Sequence, residues 1–207
     1  MIWLASWPRS GNTLLRTLLF SCFGLYSGSV YPQDLGNNKT LEQQVGHIEW
    51  NGDGTIDFPE QVPLFKTHEY PPNEQPAIYV VRDGRVACVS MWLFYNQSAP
   101  LEAIIAGQHR FGTWGNHVQA WSPWNRPNTL LLRYEDLSTD YTTALEPLSS
   151  FLGVPLQSEV LPSREEIARK DGRWVRKKSD WRDYWTDELE TLFLQYNQAM
   201  LEKMGYS

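Results

Sequence analysis

The chain has 207 residues, of which 42% are hydrophobic and 20% charged, and its formal net charge at pH 7 is −6. These values are typical of a globular protein, and the length predicts a single domain over residues 1–207. They argue against a helical membrane span, because no apolar run approaches the roughly 20 residues required, and the acidic balance argues against nucleic acid as a partner.

Apolar periodicity predicts the elements in chain order. Residues 2–6 form an apolar run typical of a buried strand, and the leucines that follow recur with helical spacing as far as Cys22. Residues 27–62 are rich in Gly, Pro, Asn and Gln and predict only one helix, near 40–49. The remaining pattern predicts strands at 63–68, 77–83 and 129–136 and helices at 84–95, 100–122, 139–152 and 187–204.

Strands that alternate with helices predict an α/β fold, with a central parallel sheet flanked by helices. In such sheets ligands bind beyond the carboxyl ends of the strands. The segments at those ends are 6–13, 66–69, 82–90 and 134–136.

The first of these segments contains WPRSGNT at 7–13 and joins a strand to a helix. Backbone N–H groups at the helix N-terminus, with the hydroxyls of Ser10 and Thr13, are suited to bind an anion. Gly11 allows close approach, and Arg9 adds a positive charge. Asn12 occupies the position at which nucleotide-hydrolase loops carry lysine, so this loop is poorly suited to bind a magnesium–nucleoside triphosphate. The segment predicts a P-loop-like anion site, with an ordinary tight turn as the alternative.

The second segment, KTHE at 66–69, pairs a base with a cation. His68 titrates near neutrality and is suited to accept a proton from an attacking hydroxyl. Lys66 lies two residues earlier on a strand and so points to the same side, where it would stabilise an anionic transferring group. The alternative is a structural histidine near a strand end.

The third segment places Arg82 where a strand gives way to a helix and Ser90 about two turns into that helix. Both residues are suited to bind a second phosphate, distinct from the anion at the first loop. Alternatively, Arg82 pairs locally with Asp83 or Glu135, and Ser90 packs within its helix.

Together these segments resemble the sulfotransferase family that uses 3'-phosphoadenosine 5'-phosphosulfate (PAPS). The family's Tyr-Pro-Lys-Ser-Gly-Thr-Thr loop, which holds the 5'-phosphosulfate, aligns without a gap with residues 7–13. Its Lys-Thr-His, which carries the catalytic base, matches Lys66-Thr67-His68, and its Arg-x-x-x-Asp-x-x-x-Ser, which binds the 3'-phosphate, matches Arg82 to Ser90. Its Tyr-Glu-Asp, whose tyrosine lies near the adenine, matches Tyr134-Glu135-Asp136.

The resemblance implies an in-line transfer from PAPS to a hydroxyl of a small-molecule, sugar or lipid acceptor. His68 would act as general base, while Arg9 and Lys66 stabilise the transferring group and no metal is required. The donor would be bound by the loop residues Arg9, Ser10, Gly11, Asn12 and Thr13, by Arg82, Ser90 and Tyr134, and by Arg176 and Lys177. The product would be adenosine 3',5'-bisphosphate.

Three positions depart from the family pattern. Arg9 replaces a lysine, Val86 replaces the aspartate of the 3'-phosphate segment, and Leu14 replaces a tryptophan that stacks on adenine. Arginine neutralises charge but is not a mobile point donor, so the rate or timing of transfer should differ. Adenine packing must be weaker at Leu14 or be supplied by other residues.

The late basic segment, RKDGRWVRKK at 169–178, holds six bases and one acid, which suits a small polyanionic ligand. It resembles the family's Arg-Lys-Gly-x-x-Gly-Asp-Trp in altered form. One register makes Arg176 and Lys177 the 3'-phosphate ligands, ahead of Asp180-Trp181. The other uses Arg169-Lys170 followed by Gly172.

Two rival functions stay open at this point. A kinase with a degenerate nucleotide loop would use ATP. A non-catalytic nucleotide- or calcium-binding module is suggested by EWNGDGTIDFPE at 49–60, which resembles an EF-hand loop, although Glu49 holds its first position and Pro59 and Pro63 obstruct an exit helix. A polar loop with Asn-Gly and Asp-Gly turns is the better interpretation of that segment.

The remaining expectations concern the acceptor and the location. By topology, Trp92, Tyr95, Trp114, Trp121 and Trp124 are candidates to line the acceptor site, although tryptophans also build cores. The other histidines lack metal-ligand spacing and are expected to be structural; they are His47, His109 and His117. Buried thiols, rather than a disulfide, explain Cys22 and Cys88, and without a secretion signal we expect a cytoplasmic protein. The sequence does not indicate an oligomeric state.

Overall fold

The computed structural model describes residues 1–59, 62–163, 165–166, 169 and 180–206. Its centre is a five-stranded sheet in the order β2-β3-β1-β4-β5, and all neighbouring strands are parallel. The strands are β1 (Ile2–Ala5), β2 (Ser27–Ser29), β3 (Leu64–Thr67), β4 (Ala77–Val81) and β5 (Thr129–Arg133). The predicted parallel α/β fold is therefore confirmed.

Helices follow the strands as crossovers. They are α1 (Asn12–Phe23), α2 (Lys39–Gln44), α3 (Gly84–Phe94), α4 (Leu101–Ile105), α5 (Trp114–Trp121), α6 (Tyr134–Thr139), α7 (Leu145–Leu152) and α8 (Asp187–Lys203). Side-chain caps fix several starts: Asp83 accepts from the backbone N–H of Arg85 at α3, and Thr186 accepts from that of Leu189 at α8.

The alternation of side chains along the central strands builds a core on each face of the sheet. In β1, Trp3 and Ala5 face one cluster while Leu4 faces the other. The cluster with Trp3 is completed by residues of α3, α4, α5 and α8, and the cluster with Leu4 by residues of α1 and α7. Both faces are covered, so the carboxyl edge of the sheet is the edge left for a ligand.

The edge strand β2 was not predicted. Its sequence, Ser27-Gly28-Ser29, has no apolar residue, yet all three residues are buried. Tertiary hydrogen bonds explain its burial: Arg16 donates to the Ser27 hydroxyl at 2.8 Å, and Trp50 Nε1 donates to the Ser29 carbonyl at 2.9 Å. A strand specified by such distant partners has no signal in its own residues.

Three predicted boundaries were wrong. The helix expected at 100–122 is two helices, because Gly107 and Gly112 take positive φ values of 68° and 64° and break it. The strand expected at 129–136 ends at Arg133, where α6 begins with Tyr134. The helix expected at 139–152 is a 3-10 turn followed by the shorter α7.

Buried thiols are confirmed, since Cys22 and Cys88 are both buried and free. Among the described residues, none of the helices has the length and apolar character needed to cross a membrane.

Candidate active site

A cleft of about 730 Å³ opens at the carboxyl edge of the sheet. Its walls come from the loop between β1 and α1, the end of β3, the turn between β4 and α3, and the start of α6. The predicted site residues that line this single cleft are Arg9, Gly11, Asn12, Thr13, Lys66, His68, Arg82 and Tyr134. Ser10 and Ser90 are not among its lining residues, and Arg176 and Lys177 lie outside the described residues.

The loop ahead of α1 offers backbone donors at one side of the cleft. Gly11 is the N-cap of α1 with φ 108°, and no side chain caps the helix there. Asn12 turns its amide inward, where Nδ2 donates to the Leu4 carbonyl at 2.8 Å, so its backbone rather than its side chain is available to a ligand. The Ser10 hydroxyl is buried and has no hydrogen-bond partner among the described residues. A free helix N-terminus beside an orphaned hydroxyl suits an anion.

Arg9 lies in the left-handed region at φ 64° and spans the two predicted phosphate segments. Its Nε donates to the Ser90 hydroxyl at 3.3 Å, and its guanidinium carbon lies 4.5 Å from the centroid of the Phe94 ring. Arg9 therefore links the Ser90 side chain on α3 to the loop between β1 and α1.

Arg82 packs between the same loop and the start of α6. Its Nη1 donates to the Arg9 carbonyl at 3.0 Å, and its guanidinium lies 4.2 Å from the centroid of the Tyr134 ring. The Tyr134 ring in turn covers Gly11, where an added Cβ would lie 2.5 Å from Tyr134 Cδ2. The neighbouring acids also make contacts of their own: the Asp83 carboxylate binds Arg85, and Glu135 accepts from the backbone N–H of Asp83.

His68 lines the cleft just after β3, beside Ser6 at the base of the loop. Its Nδ1 lies 2.8 Å from the Ser6 carbonyl oxygen, which only accepts, so Nδ1 carries the proton and Nε2 keeps its lone pair. The imidazole stacks on Tyr31 and meets the edge of Phe111. Burial, with the nearby charge of Lys66, holds the pKa of His68 well below its ordinary value. The ring is therefore neutral at pH 7 and able to accept a proton.

The backbone under His68 is held by a second, fully buried histidine. His117 Nε2 donates to the carbonyls of His68 and Glu69 at 3.0 and 3.2 Å, and its Nδ1 accepts from the Tyr79 hydroxyl at 2.9 Å. Burial lowers the pKa of His117 to about 4, so it stays neutral. These contacts describe a structural histidine.

Lys66 is buried beside His68 and ion-paired with an acid that the sequence analysis missed. Its Nζ lies 2.6 Å from Asp34 Oδ1, and Arg16 Nη1 lies 2.6 Å from Asp34 Oδ2. Although burial alone would raise the pKa of Asp34, Lys66 and Arg16 together hold it far below its usual range. Asp34 sits in the polar stretch 27–62, where no sequence motif marks it.

In the candidate calcium segment the described side chains bind one another or a neighbouring lysine, and Glu60 lies outside the described residues. Glu49 pairs with Lys39, Asn51 Nδ2 donates to Asp57 at 3.1 Å, and Asp53 accepts from the backbone and hydroxyl of Thr55. These contacts are those of a polar turn, and no group of three or more metal-ligating side chains converges within the described residues.

Aromatic side chains line the cleft, but most of them differ from those expected. Tyr95 was expected there, whereas Tyr31, Phe94 and Phe111 were not, and these four residues are called the aromatic wall. Of the four, Tyr31 and Phe111 contact the His68 ring. The expectation for Trp114 and Trp121 was wrong, because both are fully buried in the core with exposures of 1% and 0%. Trp92 and Trp124 pack against that same core and do not line the cleft.

Near α6 the cleft is lined by both apolar and polar residues. Leu14, where the family carries a tryptophan, lines it from the first turn of α1. The lining residues from α6 onward are Leu137, Ser138, Thr139, Tyr141, Leu161, Pro162 and Ser163. The Tyr141 hydroxyl donates to the Glu159 carbonyl at 2.9 Å and thereby ties the two chain segments together. This part of the cleft therefore offers apolar surface from Leu14, Leu137 and Leu161 without a tryptophan.

Comparisons with known proteins identify relatives of the chain. A family model described as the sulfotransferase domain matches residues 1–171. Sulfotransferase 4A1 of mouse is 25% identical over 184 residues, which cover 78% of this chain and 63% of the mouse protein. Human sulfotransferase 1E1 is 27% identical over 190 residues, which cover 80% of this chain and 61% of the human protein. The chain thus spans less than two thirds of the length of these relatives.

Solved structures show the same fold. The mouse sulfotransferase SULT7A1, complexed with PAP, aligns with a TM-score of 0.64 and 21% identity over 100% of this chain and 85% of its own. A retinol dehydratase in complex with androsterone and the inactive cofactor PAP aligns with a TM-score of 0.61 and 18% identity, covering 97% of this chain and 80% of its own.

Proposed function

The chain belongs to the sulfotransferase family, and from this premise we propose that it transfers the sulfuryl group of PAPS to a hydroxyl of a small-molecule acceptor. The carrying observation is that Lys66 and His68 line the same cleft as the anion-binding loop. His68 Nδ1 contacts the Ser6 carbonyl at 2.8 Å, and Ser6 directly precedes that loop. A pure binding module has no need of a neutral, oriented imidazole at this place.

The donor's 5'-phosphosulfate is assigned to the loop. The backbone N–H groups at the start of α1, the Ser10 and Thr13 hydroxyls and the Arg9 guanidinium supply donors and positive charge there. Gly11 keeps the backbone accessible.

The donor's 3'-phosphate is assigned to the region of Arg82 and Ser90, with Arg176 and Lys177 as further ligands from the late basic segment. Arg82 lines the cleft beside the Tyr134 ring, and the Ser90 hydroxyl lies 3.3 Å from Arg9 Nε. The adenine is assigned to the part of the cleft near α6, where Leu137, Tyr141 and Leu161 supply packing in place of the family's tryptophan.

The residues of this chain divide the transfer into two tasks. PAPS, when bound, supplies an activated sulfuryl group on a bridging phosphate oxygen. His68 Nε2 accepts the proton of the acceptor hydroxyl as that oxygen bonds to sulfur and the bond from sulfur to the bridging oxygen breaks. Lys66 and Arg9 stabilise the negative charge on the sulfuryl oxygens and the departing phosphate. The proposed mechanism does not use a metal ion for this task. The proton on His68 then leaves to solvent.

The acceptor is assigned to the side of His68 that carries Tyr31, Phe94, Tyr95 and Phe111. Aromatic side chains at this density pack against a phenol, a sugar face or a lipid headgroup alike. The acceptor of the proposal is therefore a small hydroxyl compound that packs in this aromatic wall.

Ligand preference tests the proposal. Isothermal calorimetry should show binding of adenosine 3',5'-bisphosphate (PAP) and at least about tenfold weaker binding of adenosine 5'-phosphate, which lacks the 3'-phosphate. Preference for magnesium ATP over PAP would instead indicate a kinase, and calcium binding without PAP binding would indicate a calcium module. Either result would overturn the sulfotransferase proposal.

A further inference from the structure

The transfer as derived does not use Asp34, a buried carboxylate that lines the cleft next to Lys66. Asp34 is 6% exposed and lies between Arg16 on α1 and Lys66 on β3. Arg16 commits its other nitrogens elsewhere: Nε donates to the Ser27 hydroxyl at 2.8 Å, and Nη2 donates to His47 Nδ1 at 2.8 Å. Arg16 is therefore fixed, and it fixes Asp34 Oδ2, which leaves Oδ1 directed at Lys66.

The backbone that presents Asp34 adopts a conformation that is costly for ordinary residues. Leu35, Gly36 and Asn37 have φ values of 58°, 63° and 57°, all in the left-handed region. For a leucine this conformation is sterically unfavourable, and it persists only where surrounding contacts enforce it. Leu35 is 2% exposed and packs with Leu41 and Val45 in a small separate core cluster. The turn is thus anchored in the one conformation that places Asp34 against Lys66.

Burial makes the charge of Lys66 depend on this contact. Lys66 is 8% exposed, and burial lowers its pKa while the carboxylate of Asp34 raises it again. The cations Arg16 and Arg9 oppose the ammonium, whereas the Tyr31 ring, 4.8 Å from Nζ, and the neutral His68 carry no net charge. Of these neighbours, Asp34 is the one whose charge favours the ammonium.

We infer that Asp34 is a positioning residue for the transfer, which acts by holding the Lys66 ammonium charged and in place beside His68. The inference rests on the proposed function, since it assigns a second task within the same site. Asp34 contacts neither donor nor acceptor in this scheme; its effect passes through Lys66.

The test compares Asp34→Asn with Asp53→Asn, which removes an exposed carboxylate of the same type from the 51–57 turn. In Asp34→Asn, kcat should fall increasingly as pH rises, by up to about tenfold per pH unit where Lys66 has lost its proton in the variant only. At low pH the variant should approach the wild type, and Asp53→Asn should match the wild type throughout. A loss of equal size at every pH would mean a merely structural role and overturn the inference.

A double-mutant cycle with Lys66→Met tests whether the effect passes through Lys66. Adding Asp34→Asn to Lys66→Met should change kcat by less than about twofold. A full, additive loss would overturn the inference. If Asp34→Asn does not fold, Asp34→Glu is tested in its place. Because the carboxylate is retained, the pH profile of Asp34→Glu should keep the wild-type shape at a reduced kcat. A shifted pH profile would contradict the inference.

A readout without turnover separates this inference from the proposed function. In ¹³C spectra of the lysine methylene groups, with Lys66 assigned through Lys66→Met, Lys66 should titrate at lower pH in Asp34→Asn than in the wild type. Identical titration would overturn the role of Asp34 even if the enzyme is active. Failure of the wild type to bind PAP would refute the proposed function. The Lys66 titrations of the wild type and Asp34→Asn would still decide whether Asp34 keeps Lys66 charged.

Discussion

Replacing Gly11 by alanine adds one carbon atom, Cβ, to the loop proposed to bind the donor. The backbone there has φ 108°, and the new Cβ would lie 2.5 Å from Tyr134 Cδ2, so the ring of Tyr134 must move. That ring supports Arg82, whose guanidinium lies 4.2 Å from its centroid. The variant therefore combines backbone strain with displacement of a proposed phosphate ligand.

The strained conformation costs about 1–3 kcal/mol. For a chain of this length, each kcal/mol lowers the unfolding temperature by about 2–4 °C, so differential scanning calorimetry should record a fall of roughly 2–12 °C. Displacement of Arg82 should weaken PAP binding by at least about tenfold, measured by isothermal calorimetry, since a charge-assisted contact is worth about 1.5–3 kcal/mol.

Gly153→Ala is the matched control, because Gly153 also has a positive φ, 67°, but an added Cβ meets no atom within 4 Å. It should show the loss of stability from strain and leave PAP affinity unchanged. Equal PAP affinity in Gly11→Ala and Gly153→Ala would refute the assignment of the loop and Tyr134 to the donor.

Two further predictions follow from the same geometry. Because the lowered pKa of His68 keeps the ring neutral, kcat/KM should stay level as pH falls through 6.5 and drop only at lower pH, when His68 takes up a proton; an acid limb at or above 6.5 in the pH–rate profile contradicts this. Ser90→Ala removes the hydroxyl that the proposal assigns to the 3'-phosphate and should weaken PAP binding in calorimetry by about tenfold, while changing adenosine 5'-phosphate binding much less; equal losses for both nucleotides would show that Ser90 acts through its contact with Arg9 and not on the 3'-phosphate.

Local patterns in the sequence predicted the parallel sheet and the edge at which the candidate loop and His68 lie together. Residues 7–13 follow a strand, contain a glycine and lead into a helix. Lys66 and His68 are two residues apart at the end of another strand. Because neighbouring parallel strands end at one edge, these segments had to meet, and they do so where Ala5 pairs with Thr67.

Features that depend on distant partners could not be predicted. Asp34 gains its role from Arg16 and Lys66, which lie 18 and 32 positions away along the chain. Trp114 and Trp121 are chemically able to line a ligand site, and only the packing of α5 against α8 assigns them to the core. Sequence analysis identifies residues capable of a role, whereas tertiary contacts decide which of them take it.

Transfer of label from radiolabelled PAPS tests the central claim most directly. The wild type, incubated with a panel of phenols, sugars and hydroxylated lipids, should form a labelled sulfate ester and release PAP in equal amount. His68→Asn should form it at least about 100-fold more slowly while it binds PAP with unchanged affinity. Label that stays on PAPS with every acceptor, or ester formation at the wild-type rate in His68→Asn, would contradict the account.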